Sequence, residues 1–232
     1  MACLDGPGVA AIVMPSEVRA QHLQFENGVP NQVPTTFEGI TANGVGTLPY
    51  TASTSTGFAR YSPAGDGTTW LGYVAVRRDG GVEAAIGSGS RYRAQFRAGP
   101  ATIIRLYTVI HMIRQAVETQ SALLAEDGEV KEVADQLAPF DLVVALPKTD
   151  DTWLGCYNDG WEHPEHLHDP PRPIESNVLV RHQVEQWPTE RADRNGLLFK
   201  MADRVSAALG DRERRWVART GANAGTLHLN YA

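Results

Sequence analysis

The stretch Trp70-Leu-Gly-Tyr-Val-Ala-Val-Arg-Arg-Asp-Gly-Gly-Val-Glu-Ala-Ala-Ile86 decides how the rest of the chain is read. Its first part, Trp70–Arg78, is rich in β-branched and aromatic residues and predicts a strand. Asp79-Gly80-Gly81 predicts a tight turn, because glycine accepts the positive φ that hairpin turns demand. Val82–Ile86 then returns as the second strand. A hairpin followed by helical periodicity points to an antiparallel sheet carrying helices on one face.

The helical signal lies just downstream. Ile103, Leu106, Ile110, Ile113 and Val117 recur at steps of three and four, one apolar stripe on a helical period. Ile104, Tyr107 and His111 widen the stripe, which makes this helix central to the core. Gly99-Pro100 is expected to open it, since proline is accepted at the first helical position, and Glu126–Gly128 to end it. Asp141–Leu146 predicts a buried strand, Pro147–Asp151 a turn, and Thr152–Tyr157 a return strand forming a second hairpin. Asn158–Pro173 is a loop rich in His and Pro. Asn177–His182 predicts another strand. Thr189 is positioned to cap a final helix bearing Leu197, Met201, Val205 and Leu209, with Gly210 at its end. Thr226–Tyr231 is a candidate terminal strand.

Upstream of the hairpin, Gly8–Met14 predicts a strand stopped by Pro15. Residues Gln24–Gly67 are rich in Gly, Pro, Thr and Ser, which suits loops and short β segments. This stretch is expected to hold short strands or to form an arm packing on another chain. The expected organisation is therefore α+β: a mostly antiparallel sheet with one long central helix and a C-terminal helix. Residues 1–69 supply a strand plus an extended arm, and residues 70–232 an α+β core domain.

Composition excludes several classes. The 232 residues are 42% hydrophobic and 21% charged, unlike a disordered chain. Two cysteines, Cys3 and Cys156, are too few for a disulfide scaffold and too far apart for a redox pair, so a reducing cytoplasm is expected. No 18-residue apolar run spans a membrane, and the first residues lack a secretory signal pattern.

The net charge of −6 is unevenly spread. Residues 60–114 carry eight arginines and three acids, whereas residues 115–193 carry five bases and seventeen acids. Such blocks either present a basic surface to an anionic partner or neutralise one another in the fold. Arg77, Arg78, Arg91, Arg93 and Arg97, interleaved with Tyr92 and Phe96, form the candidate ligand-binding set, since bases and aromatics together suit single-stranded nucleic acid. Arg212, Arg214, Arg215 and Arg219 around Trp216 form a second basic set. Gly87-Ser-Gly-Ser-Arg-Tyr-Arg93 is a candidate phosphate cradle, and the competing, favoured reading is a flexible loop between a strand and a helix; no Walker A loop or dinucleotide fingerprint is present.

Trp161-Glu-His-Pro-Glu-His-Leu-His-Asp169 gathers His163, His166 and His168 with Asp169 adjacent. Imidazole and carboxylate suit zinc, so these three histidines are the candidate metal ligands. The competing reading is a solvated polar loop held by prolines. No G-x-S-x-G elbow is found, and Cys156 has no local partner that identifies a triad.

Gly8–Ser16, Trp70–Ile86, the Ile103–Leu124 stripe and the Asp141 strand together resemble the later part of bacterial proteins with an AlbA/Schlafen-type ATP- or nucleic-acid-associated domain. The resemblance covers about half the chain and rests on a strand ending in Val/Met-Pro-Ser, an Arg-Asp-Gly hairpin, an apolar helix and a short strand. It implies an accessory or recognition module of a nucleic-acid-associated or defence system, and transfers no catalytic residue. The functional expectation is a non-catalytic domain that binds a partner protein, a copy of itself or an anionic ligand. A metal-dependent hydrolase built on His163, His166 and His168, and a structural protein acting only in an oligomer, are the alternatives.

Overall fold

The 70–86 hairpin forms as its sequence dictates, and it lies inside a larger sheet. A computed structural model describes residues 4–17, 33–37, 46–96, 99–125, 137–155, 172–211, 217–219 and 227–229. Seven strands make one antiparallel sheet: β1 (Val9–Pro15), β2 (Tyr50–Thr54), β3 (Gly57–Pro63), β4 (Trp70–Arg77), β5 (Val82–Ile86), β8 (Phe140–Pro147) and β10 (Asn177–Val184). Their spatial order is β10-β8-β1-β5-β4-β3-β2. The turn between β4 and β5 closes with Arg77 N–H donating to Gly81 O at 2.8 Å, and Gly80 sits at φ +83, where only glycine is at ease. β1 lies between β5 and β8, and β3 pairs with β4 across the boundary expected near residue 69.

Residues facing each other across an antiparallel pair share a face of the sheet. One such row runs Val74, Ala84, Ala11, Val144, Val180, all at most 9% exposed. This is the core face. α1 (Leu106–Ala125) packs on it over β1 and β5, while α2 (Arg191–Ala208) packs beside α1 and against β10. The small pair Ala11 and Ala84 lies beneath α1, where short side chains let a helix sit close. Val33, Phe37 and Leu48 complete the same core. The expected α+β class, with a mostly antiparallel sheet, a long central helix and a C-terminal helix, is the observed one. No helix among the described residues is long and apolar enough to cross a membrane.

Three local expectations are corrected. First, Gly99-Pro100 opens a strand, not the helix. β6 (Arg91–Phe96) and β7 (Gly99–Arg105) pair antiparallel, and α1 starts only at Leu106. Pro100 fits because β9 (Thr152–Gly155) flanks β7 only from Thr102 onward, so its missing N–H costs no ladder bond on that side. Second, β9 does not form a hairpin with β8. Both flanks of β8 are already taken by β1 and β10. Lys148 and Asp151, at φ 53 and 57, swing the chain away, and β9 pairs parallel with β7. Third, Thr189 does not cap α2. Glu190 occupies that position without a side-chain bond, and Arg194 Nη1 donates to the Thr189 carbonyl instead.

The end of α2 follows expectation. Gly210, at φ +99, turns the chain; its N–H donates to Ala207 O, and Asp211 N–H donates to Ser206 O, both at 3.0 Å. This paired reverse bonding satisfies carbonyls that the last helical turn leaves free. The buried Ser206 hydroxyl also bonds the Asp211 carboxylate at 2.9 Å. β11 (Val217–Arg219) and β12 (Leu227–Leu229) form a separate two-stranded pair against α2.

One core position is chemically mismatched. Gln120 of α1 is fully buried, and among the described residues neither its amide nitrogen nor its oxygen has a hydrogen-bond partner. A buried, unpaired amide loses its hydration without compensation. Gln120→Leu, of similar volume, should therefore raise unfolding stability by about 1 kcal/mol, read from the urea midpoint at unchanged slope.

Candidate binding surface

The structure does not bring the four described arginines of the candidate set together. Arg77 and Arg78 lie at the turn end of β4, whereas Arg91 and Arg93 begin β6, beyond the opposite end of β5. Five extended residues separate the two ends by about 17 Å. Arg77 is used locally: its Nε and Nη2 grip the Asp79 carboxylate, whose Oδ1 also accepts the Gly81 N–H at 3.0 Å. Its guanidinium pKa is pushed up, first by the hydrogen bond to Asp79. Arg91 is half-buried and clamps the carbonyls of Pro147 and Lys148 at the end of β8. Burial lowers its pKa, with the Asp150 charge opposing. Arg78 and Arg93 are exposed, and Arg97 lies outside the described residues.

The neighbouring polar features are likewise taken up in the fold. The Arg105 guanidinium covers one face of the Tyr92 ring at 5.0 Å. Burial raises the Tyr92 pKa, and the Arg105 charge opposes it. The Gly87–Ser90 turn already holds an anion. Ser88 N–H donates to Asp5 Oδ1 at 2.9 Å, and the Ser88 hydroxyl bonds the same carboxylate. Asp5 thus occupies the turn that the sequence offers as a candidate phosphate cradle. On α1, His111 stacks edge-on against Tyr107 at 4.1 Å.

His163, His166, His168, Asp169 and Cys156 lie outside the described residues, as do Arg212, Arg214 and Arg215. Among the described residues no group of three His, Cys, Asp or Glu side chains is placed to hold a metal ion.

The outer face of the sheet, opposite α1, carries the most distinctive arrangement. Tyr50, Tyr61 and Tyr73 face one another across β2, β3 and β4. Tyr50 and Tyr61 are 5.7 Å apart between ring centroids, Tyr61 stacks on Trp70 at 4.3 Å, and Trp70 meets Tyr73 edge-on at 5.5 Å. Cross-strand aromatic pairs of this kind stiffen a sheet. The buried end of the run is closed by Tyr73 Oη, which donates to Glu83 Oε1 at 2.6 Å. Burial and then the Glu83 charge push the tyrosine pKa far above its usual value. The other end is open: Tyr50, on the edge strand β2, is 53% exposed.

A second apolar feature lies across the same sheet. A cavity of about 420 Å³ is lined by Leu4, Gly8, Ala10, Ala145, Val178 and Leu179 among others, at one end of β1, β8 and β10. Leu179 is 70% exposed, unusual for a leucine in a strand. Further along the same two strands, Asp141 is buried and accepts a bidentate grip from Arg181 at 2.8 and 2.6 Å. Neither Tyr50 nor Leu179 stands out in the sequence, because each is conspicuous only once the strand order is known. The spacing of tyrosines in three adjacent short strands was the available signal.

No protein-family model matches this chain, and no curated protein or solved structure is detectably similar to it.

Proposed function

We propose that this chain is a non-catalytic binding domain whose partner is a protein. The observation that carries the reading is the aromatic run that ends at exposed Tyr50 on a sheet edge that is unpaired among the described residues. Main-chain donors and acceptors along such an edge recognise an extended segment of another polypeptide, and nearby apolar side chains add contact area. The apolar cavity beside Leu179 supplies a second contact of the same kind. An anionic partner is less well served. Of the arginines described, Arg77 and Arg91 are engaged internally, and the turn suited to a phosphate holds Asp5.

The test uses the full chain, alone and in the complex that co-purifies with it. Amide hydrogen exchange is expected to slow at Thr51 and Ser53, or at Asn177–Leu179, in the complex only. Two results overturn the reading. One is retention of a labelled single-stranded oligonucleotide that falls steeply with salt and is lost in Arg78→Ala/Arg93→Ala. The other is near-stoichiometric zinc or manganese that disappears in His166→Ala/His168→Ala.

A further inference from the structure

We infer that the edge strand β2 pairs with β2 of a second copy of this chain, antiparallel about a two-fold axis near Ala52. The inference rests on the protein-binding reading above and names the partner. The two edges of the seven-stranded sheet are managed differently. On β10, Arg181 places a charge on the strand, Arg204 Nη1 donates to the Arg181 carbonyl at 3.0 Å, and the same nitrogen lies 3.2 Å from His182 Nδ1. Charged side chains over an edge are the usual way to discourage pairing. Among the described residues β2 has no such guard. Tyr50-Thr-Ala-Ser-Thr54 contains no charge and no proline, and four of its five residues are exposed. Among the described residues its hydrogen-bonded neighbour is β3, on one side only.

The sequence of β2 is also compatible with itself. Centring the pair on Ala52 sets Thr51 against Ser53 of the partner subunit and Tyr50 against Thr54 of the partner subunit. Every facing pair is uncharged, so no like charges meet directly across the junction. Side chains alternate between faces, so Tyr50 and Thr54 of the partner subunit share the outer face. The exposed aromatic ring would then extend its ladder across the junction instead of ending in water. The arrangement uses the same patch on both copies, so it closes at two chains. The strand is only five residues long, which makes association concentration-dependent.

Light scattering on the eluting full chain tests this. The expected mass moves from one 25.3 kDa chain toward two as concentration rises, and Thr51→Lys/Ser53→Lys holds it at one. Both side chains are exposed, so the variant should melt with the wild type. If it does not, amide exchange of the wild-type chain decides, because Thr51 and Ser53 must slow with increasing concentration. A single-chain mass at every concentration, or a dimer that the double variant leaves intact, overturns the inference. A single-chain mass with β2 protected only in a complex with a different protein overturns self-pairing but leaves the binding reading standing. Absence of β2 and Leu179 protection in any complex removes both.

Discussion

Phe140→Ala should cost this protein about 3–5 kcal/mol of unfolding stability. The ring is fully buried at the start of β8, where the strand pairs with β1 on one side and β10 on the other. It meets the Trp187 indole edge-on at 5.4 Å. Trp187 is itself anchored, its Nε1 donating to the Ser121 hydroxyl at 2.9 Å, which in turn bonds the Val117 carbonyl of α1. The Phe140 ring thus sits where the sheet, the helix and the segment leading to α2 meet, and none of these can collapse independently into the space it leaves. Loss of transfer energy is compounded by an unfilled cavity. For a chain of this size the melting temperature should fall by roughly 10 °C. Phe140→Leu, which keeps most of the volume, should recover more than half of the loss. An alanine variant within about 1 kcal/mol of the wild type in urea would show that this junction is not the centre of the core.

Gly210→Ala should cost about 2–3 kcal/mol, for two separable reasons. The residue sits at φ +99, which an L side chain resists. A β-carbon there would also stand 2.3 Å from the Arg172 carbonyl oxygen, a backbone atom that cannot rotate away. Disturbing this turn unseats the Asp211 N–H from the Ser206 carbonyl and strains the buried Ser206–Asp211 pair. Gly210→Asn separates the causes, because asparagine tolerates positive φ better than alanine yet still brings a β-carbon. If asparagine and alanine are equally damaging, the close approach of Arg172 dominates. If asparagine is much the milder, backbone conformation does. Chemical denaturation of both variants reads the difference directly.

The elements that could be read from the sequence are those whose signal is local. The 70–86 hairpin combines β-branched strands with a glycine turn, and the stripe through Leu106, Ile110, Ile113 and Val117 has a helical period that no strand reproduces. The misreadings come where two patterns overlap or where the competitor is distant. Ile103 fits the helical stripe and also a strand, and what decides is β6 and β9 flanking it, 11 and 50 residues away in the pairs Tyr92↔Ile103 and Ile103↔Trp153. Thr152–Tyr157 reads as the return strand of a hairpin because nothing local shows that β8 is already paired on both sides. The candidate site behaves the same way. Arginine content marks residues 77–97 as a region of interest, but clustering in sequence is undone by an extended strand that holds Arg78 and Arg93 apart. The carboxylate that fills the Ser88 turn comes from Asp5, 83 residues away in sequence. The exposed aromatic at Tyr50 gains meaning only from being last in the strand order.

The central place of β1 has a consequence for how the chain is made. Its Val9–Pro15 backbone is bonded on one side to β5 and on the other to β8, which begins at Phe140. During synthesis, at about 5–20 residues per second, the strand is translated on the order of ten seconds before that second partner. Through that interval the backbone of β1 that later pairs with β8, over Ala10–Pro15, keeps its donors and acceptors open. The emerging N-terminal portion therefore holds a temporarily sticky edge at the heart of the future sheet. Ribosomal pausing ahead of Phe140 should lengthen that exposure and raise the fraction of chains captured by chaperones or lost to aggregation.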